Sequence, residues 1–223
     1  MWCIPPQENA AFVFGMENVL QVYTRPYDAS HPVVCMDESS KQCVQEIRPP
    51  QPMRPGHAAR ADAEYRRNGV GHLLMYYAPF EDWRRTDVAP DHAAPTWAEG
   101  MRRLVEDDYP QAQRITVVMD NLSTHTGASL YKTFEPEKAR ALLDKLEFVY
   151  TPNHGSWLNI AECEFSVLAR QCLDRRIPDI DSLRNEVDAW TEARNRASQP
   201  VQWRFTTDDA RIKLRHLYPK IRS

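Results

Sequence analysis

Ile115-Thr116-Val117-Val118-Met119-Asp120 is a short β-branched run that stops at a carboxylate and gives way to the polar Asn121-Leu122-Ser123-Thr124-His125. Such a run reads as a buried strand ending at a sheet edge. Working outward, the same construction recurs as Pro32-Val33-Val34-Cys35-Met36-Asp37. A third acid, Glu162, closes Ser156-Trp157-Leu158-Asn159-Ile160-Ala161-Glu162. A strand-end carboxylate is costly unless it meets a cation, a donor or water. Three of them converging would repel one another and demand a divalent metal. That is the outline of a metal-dependent phosphoryl-transfer site.

The chain has 223 residues, of which 42% are hydrophobic, enough for one sizeable domain with a helical appendage. No stretch approaches the roughly 20 apolar residues of a membrane span. The start, Met1-Trp2-Cys3-Ile4-Pro5-Pro6, has neither the basic nor the long apolar region of a signal peptide. Cys3, Cys35, Cys43, Cys163 and Cys172 are odd in number and form no Cys-x-x-Cys pair. They read as reduced thiols of a cytoplasmic protein, not as a zinc site. A net charge of -3 argues against indiscriminate coating of nucleic acid. The tail is basic, with Arg204, Arg211, Lys213, Arg215, Lys220 and Arg222 against Asp208 and Asp209. It reads first as a solvated helix face and second as a nucleic-acid contact.

Along the chain, 8–20 has the spacing of an amphipathic helix, 33–37 reads as a strand, and 43–47 as its hairpin partner. A proline- and arginine-rich arm follows, carrying Arg48, Arg54 and Arg60, and prolines keep it out of any central strand. Strands are expected at 72–78, 83–88, 114–119 and 147–150. Helices are expected from Pro95, over 136–146 and 158–173, around Leu183, Val187 and Trp190, and in a last packed segment holding Trp203, Phe205, Leu214 and Leu217. Hairpin strands first and strands alternating with helices afterwards give an α/β fold, a mixed sheet flanked by helices. The expected division is a helical lead-in at 1–31, a catalytic domain at 32–176 with the arm at 48–70, and a C-terminal helical extension at 177–223.

Asp37 is the natural lead ligand, and its neighbour Glu38 must face the other way if the strand continues. After Asp120, Asn121 and Ser123 can orient the loop, and His125 reads as a loop hydrogen-bonder behind the ligands. On the helix at 158–173, Leu158, Ala161, Phe165, Leu168, Ala169 and Cys172 form one apolar stripe at about 100° per residue. Glu162 borders it on one side and Glu164 on the other, so helical geometry barely separates the two acids.

Several motifs in order resemble one group. Arg25-Pro-Tyr-Asp28, Val33-Val-Cys-Met-Asp-Glu38, Val118-Met-Asp-Asn-Leu-Ser-Thr-His125 and His154-Gly-Ser-Trp-Leu-Asn-Ile-Ala-Glu162 are similar to bacterial insertion-sequence transposases of the mariner-like DDE superfamily. Arg170-Gln-Cys-Leu-Asp-Arg-Arg-Ile-Pro-Asp179 and Trp203-Arg-Phe-Thr-Thr-Asp-Asp-Ala-Arg-Ile-Lys-Leu214 extend the likeness over nearly the whole chain. The resemblance implies a ribonuclease-H-like core and an acidic triad of Asp37, Asp120 and Glu162, choosing Glu162 over Glu164. It implies two Mg²⁺ or Mn²⁺ ions, bridged by Asp37, with Asp120 and Glu162 each completing one. It places Asn121, His125, His154 and Asn159 behind the ligands or facing DNA. It also implies DNA as partner (element ends and target), a homodimer clamped by the arm, no membrane, and a bacterial, nucleoid-associated location.

Such transposases normally begin with a helix-turn-helix region, and this chain opens on the catalytic segment instead. Two other readings share the pattern. One is a ribonuclease-H-like nuclease cutting RNA in hybrids, since fold does not fix function. The other is a truncated remnant that only dimerises.

Overall fold

The computed structural model describes residues 4–48, 52–58, 64–198 and 200–220. Five strands form one mixed sheet in the order β3-β2-β1-β4-β5. They are β1 (Val33–Glu46), β2 (Tyr65–Ala78), β3 (Trp83–Ala89), β4 (Ile115–Met119) and β5 (Leu146–Tyr150). The first three pair antiparallel, whereas β4 pairs parallel with both β1 and β5. The expected mixed sheet with flanking helices is what the chain forms.

Alternation along β1 splits the core in two. Val33 and Cys35 join the cluster under α1 (Ala10–Tyr23), α5 (Ile160–Leu168), α6 (Ile180–Arg196) and α7 (Thr207–Lys213). Val34 and Met36 join the cluster under α2 (Ala94–Arg103), α3 (Gly127–Thr133) and α4 (Pro136–Asp144). In α1, Phe12, Met16, Val19, Leu20 and Tyr23 fall on one buried face, and the Asn9 side chain caps the start by accepting from the Phe12 N–H at 3.0 Å. Pro95 lies in the first turn of α2, where its missing N–H costs nothing. Further along α2, Gly100 lets the helix sit directly on β2, since any side chain there would collide with the Tyr76 hydroxyl.

Several expectations need correction. Residues 33–37 and 43–47 are one strand, β1, and not the two arms of a hairpin; the antiparallel partner is β2. A register shift between Gln42 and Val44 interrupts the pairing, and the Val44 N–H turns to the Ile177 carbonyl at 2.7 Å. The arm is shorter than 48–70, because β2 already begins at Tyr65. The long helix expected at 158–173 starts with a 3-10 turn at Ser156–Leu158, is α-helical over Ile160–Leu168 and ends in a π-helical turn at Ala169–Leu173. Trp203 and Phe205 precede α7 in non-helical backbone, and α3 is an additional helix.

The lead-in and the C-terminal segment share the core of the catalytic segment, where Phe12, Val118, Leu183 and Leu217 belong to one cluster. The basic tail is partly used to dock it. Arg211 forks onto Glu17 of α1 at 3.0 and 3.1 Å, and the Tyr218 hydroxyl donates to the same carboxylate at 2.9 Å. Arg204, Arg215 and Lys220 are exposed, while Arg222 lies outside the described residues. Cys35, Cys43, Cys163 and Cys172 are free thiols. No helix among the described residues is long and apolar enough to cross a membrane.

The outer edge of β3 is blocked at Arg84 by a side chain. Asn195 of α6 accepts from the Arg84 N–H at 2.9 Å and donates to the Arg84 carbonyl at 2.8 Å, occupying both groups that a neighbouring strand would use.

Candidate active site

Asp37 lies mid-strand in β1, facing the α5 side with Cys35, and its carboxyl is mostly buried. Burial pushes it up to about 7, and Glu162 and Asp120 add repulsion in that order, against the pull of the Glu38 N–H that donates to it at 2.8 Å. The three sequence-predicted acids therefore meet electrostatically, from a strand interior, a strand end and a first helical turn.

Glu162 is delivered by Asn159. This buried side chain caps α5 by accepting from the Ala161 N–H at 3.2 Å, and it donates to the Met36 carbonyl at 2.8 Å. One amide thus pins the helix start to the residue preceding Asp37. Tyr23 of α1 adds a second tie, its hydroxyl donating to the Leu158 carbonyl at 2.7 Å.

Asp120 follows β4 directly and is held from behind. His125 Nδ1 lies 2.6 Å from its carboxylate, and His125 Nε2 lies 3.0 Å from Glu38. The ring is 1% exposed and stacks on Trp97 at 5.7 Å. Burial alone would lower its affinity for a proton, but the hydrogen bonds and charges of Asp120 and Glu38 outweigh that and raise it to about 9. At neutral pH it is an imidazolium clamped between two carboxylates. Glu38 does face away from Asp37, as alternation requires, yet it reaches the site through this ring. The sequence signal was the adjacent acid pair itself; nothing in it foretold that a buried histidine links the two faces.

The other acid of α5 is not free. Glu164 is buried, with Arg84 Nε of β3 at 3.0 Å and Arg194 of α6 forking onto it at 3.0 and 3.1 Å. Arg84 also pairs with Asp82, whose carboxylate accepts from the Tyr77 hydroxyl at 2.9 Å. This network was invisible in the sequence, where its members are far apart and look like surface charges.

Asn121 is exposed and lines a cleft of about 490 Å³ with Phe14, Asn18, Gln21, Arg25 and Tyr150. His154 is exposed in the turn before α5, at φ +64°. In the arm, Arg48 and Arg54 are exposed, and Arg54 and His57 close a tight turn at 3.1 and 2.8 Å around Gly56 at φ +79°. Arg60 lies outside the described residues.

The donor set is all hard oxygen and suits Mg²⁺ or Mn²⁺. Among the described residues, no three His, Cys, Asp or Glu side chains are gathered tightly enough to enclose a metal as they stand. Asp120 is turned toward His125, and Asp37 is held half-neutral near pH 7 by burial first and by its acidic neighbours second. A dication would reverse that second effect, since it favours the ionised carboxyl. Mn²⁺ affinity, measured by calorimetry, is therefore expected to rise about fivefold from pH 6 to 7 and only about twofold more by pH 8. Asp37→Asn should bind weakly with no such slope; equal, pH-flat titrations of both proteins would defeat the assignment. In metal-free protein the sign is opposite. The folded state holds the Asp37 proton more tightly than the unfolded chain, so stability falls as pH rises from about 4 to about 7.

Comparison with known proteins settles the family. A DDE superfamily endonuclease family model matches residues 32–184, more than half of the chain. The chain belongs to that family. The matched stretch contains Asp37, Asp120 and Glu162 and stops inside α6. Among solved structures it is similar to the Mos1 mariner paired-end complex with Mn, at 18% identity over 85% of this chain and 57% of that one, TM-score 0.55. The Mos1 paired-end complex with Mg matches at 17% over 97% of this chain and 66% of that one, TM-score 0.56. The Mos1 transposase paired-end complex with left transposon end gives 17%, 85%, 57% and 0.57. The likeness is one of fold, the expected ribonuclease-H-like architecture. The chain spans 57–66% of those three chains. None of the curated proteins matches it.

Proposed function

We propose that this chain is the catalytic domain of a DDE transposase, which cuts DNA strands and joins a freed 3′-hydroxyl to a target phosphate. The observation that carries the reading is the match of a DDE superfamily endonuclease model over residues 32–184, a stretch in which Asp37 is raised first by burial and then by Glu162 and Asp120. Acids that raise one another's hold on a proton are relieved when cations bind them. When bound by Asp37, Asp120 and Glu162, two divalent ions would stabilise the attacking and leaving oxygens of an in-line displacement. The chain's own residues supply the rest. Asn159 fixes where Glu162 stands, and His125 orients Asp120. Asp37 gives up its proton as an ion enters.

DNA is the proposed substrate and target, and the exposed Arg48 and Arg54 of the arm are proposed to meet phosphate or a second copy of the chain. Phosphate contacts of this kind fix position and carry no sequence information. With a net charge of -3, the chain is expected to bind unrelated duplexes weakly and equally. Affinity should fall steeply with salt, and Arg54→Ala should reduce the log–log slope by about 1. Fluorescence anisotropy across a salt series measures this; tight, salt-insensitive binding to one duplex would show that the domain reads sequence itself. The activity is tested by nicking of supercoiled plasmid. Mg²⁺- or Mn²⁺-dependent nicking abolished by chelator is expected, and absence of nicking with either ion would overturn the reading.

A further inference from the structure

We infer that Arg194, on the C-terminal helix α6, is a positioning residue for Glu162, so that the segment beyond the family match is part of the catalytic unit. The inference rests on the transposase reading above and adds a residue to it. The family match ends at residue 184, within the second turn of α6, whereas Arg194 lies near the helix's far end.

The argument begins with helix geometry. Two residues along an α-helix are about 200° apart, so Glu164 and Glu162 leave α5 in nearly opposite directions. Whatever grips one sets the bearing of the other. Glu164 is gripped inside the protein by two guanidiniums from different elements, Arg84 of β3 and Arg194 of α6. Only Arg194 does so with the two-pronged fork, Nε on one oxygen at 3.0 Å and Nη2 on the other at 3.1 Å. A forked contact fixes the rotation of the carboxylate plane, which a single contact leaves free.

The far end of the helix is held at other points, by Lys41 on the Leu173 carbonyl and by Trp190 on Gln171 at 2.9 Å, more than two turns beyond Glu162. After Leu168 the helix widens into the π-helical turn Ala169–Leu173. At the near end, Asn159 anchors the first turn to β1. The helix is therefore pinned at its N-terminus and clamped at Glu164, with Glu162 between the two points. Asn195, adjacent to Arg194, fastens α6 to the backbone of Arg84, so that both halves of the clamp move together. Loosening the clamp leaves Glu162 free to swing about the Asn159 anchor. A misplacement on the order of 1 Å at a reacting centre costs about a hundredfold, and loss of a residue that orients a metal ligand typically costs about 10–100-fold in metal affinity or activity.

The experiment uses the full chain and reads Mn²⁺ binding by calorimetry beside Mg²⁺-dependent nicking. Arg194→Met is expected to weaken Mn²⁺ about tenfold and to raise the Mg²⁺ concentration for half-maximal nicking by a similar factor. Arg84 remains beside Glu164 in this variant. Arg194→Lys keeps the charge without the fork and should fall between Arg194→Met and wild type. Arg196→Ala, an exposed change on the same helix, should match wild type. A merely structural role lowers the unfolding temperature and leaves both metal midpoints of the folded protein unchanged; that result overturns the inference. Should Arg194→Met fail to fold, Arg194→Lys decides alone, and wild-type metal midpoints there overturn it equally. If wild type itself neither binds Mn²⁺ nor nicks DNA, it is the transposase reading that fails.

Discussion

Glu162→Gln is expected to cut metal-dependent plasmid nicking by about a thousandfold or more, with thermal unfolding close to wild type. Glutamine has the shape of the carboxylate without its charge, and a ligand in a two-metal site acts on transition-state charge. Losing several kcal/mol of that, at ~1.4 kcal/mol for each tenfold, gives the stated factor. Removing one of three mutually repelling acids also relieves Asp37, so its carboxyl should move down from about 7. Glu164→Gln should show the reverse profile. It leaves the guanidiniums of Arg84 and Arg194 short of an anion in a buried setting, so unfolding temperature drops while nicking falls by no more than about a hundredfold. Parallel nicking and melting curves decide. The opposite ranking of the two variants would transfer the ligand role to Glu164.

The second large effect lies in the fold. Arg84→Met should destabilise the protein by about 3–5 kcal/mol, because breaking a buried ion pair from one side strands the remaining charges. Arg84 is 1% exposed and faces Asp82 and Glu164, leaving two buried acids to share Arg194 when it is gone. For a chain of this size the loss corresponds to a drop in Tm on the order of 10 °C. Ionic strength should hardly change it, since salt screens buried pairs poorly. A Tm within about 2 °C of wild type would mean that the network does not hold β3, α5 and α6 together.

Much of the architecture was legible because short unbroken apolar runs mark strands buried on both faces. Val33 to Met36 and Ile115 to Met119 are such runs, and both are strands in the central part of the sheet. The second half of β1, Glu38-Ser-Ser-Lys-Gln, carries no apolar pattern, and its extended state comes from pairing with β2, which no local reading can see. α3 escaped notice for a related reason, since Leu130 is its only large buried side chain. The positions of Asp120 and Glu162 followed from a strand end and a helix start, whereas Asp37, expected at a strand end, lies inside β1. The support of these acids did not follow. Periodicity counts a charged residue as outward-facing, so it placed Glu164 level with Glu162 at the rim of the stripe, whereas paired guanidiniums allow Glu164 inside. His125 was expected as a loop hydrogen-bonder, and it bonds Asp120; its second carboxylate, Glu38, required the strand to be folded against the loop.

The parallel pairing of β1 with β4 also governs the order in which the molecule comes together. β1, β2 and β3 follow one another closely in the chain and can pair as soon as they emerge. Val33 must wait for Thr116 and Cys35 for Val118. Closing loops of that length is slow, so the acids meet late, after the antiparallel strands have formed. Until then the inner side of β1, central in the finished sheet, is a bare edge ready to pair with another chain. Refolding yield should therefore depend on protein concentration, and the vulnerable species is one in which Asp37, Asp120 and Glu162 have not yet been brought together.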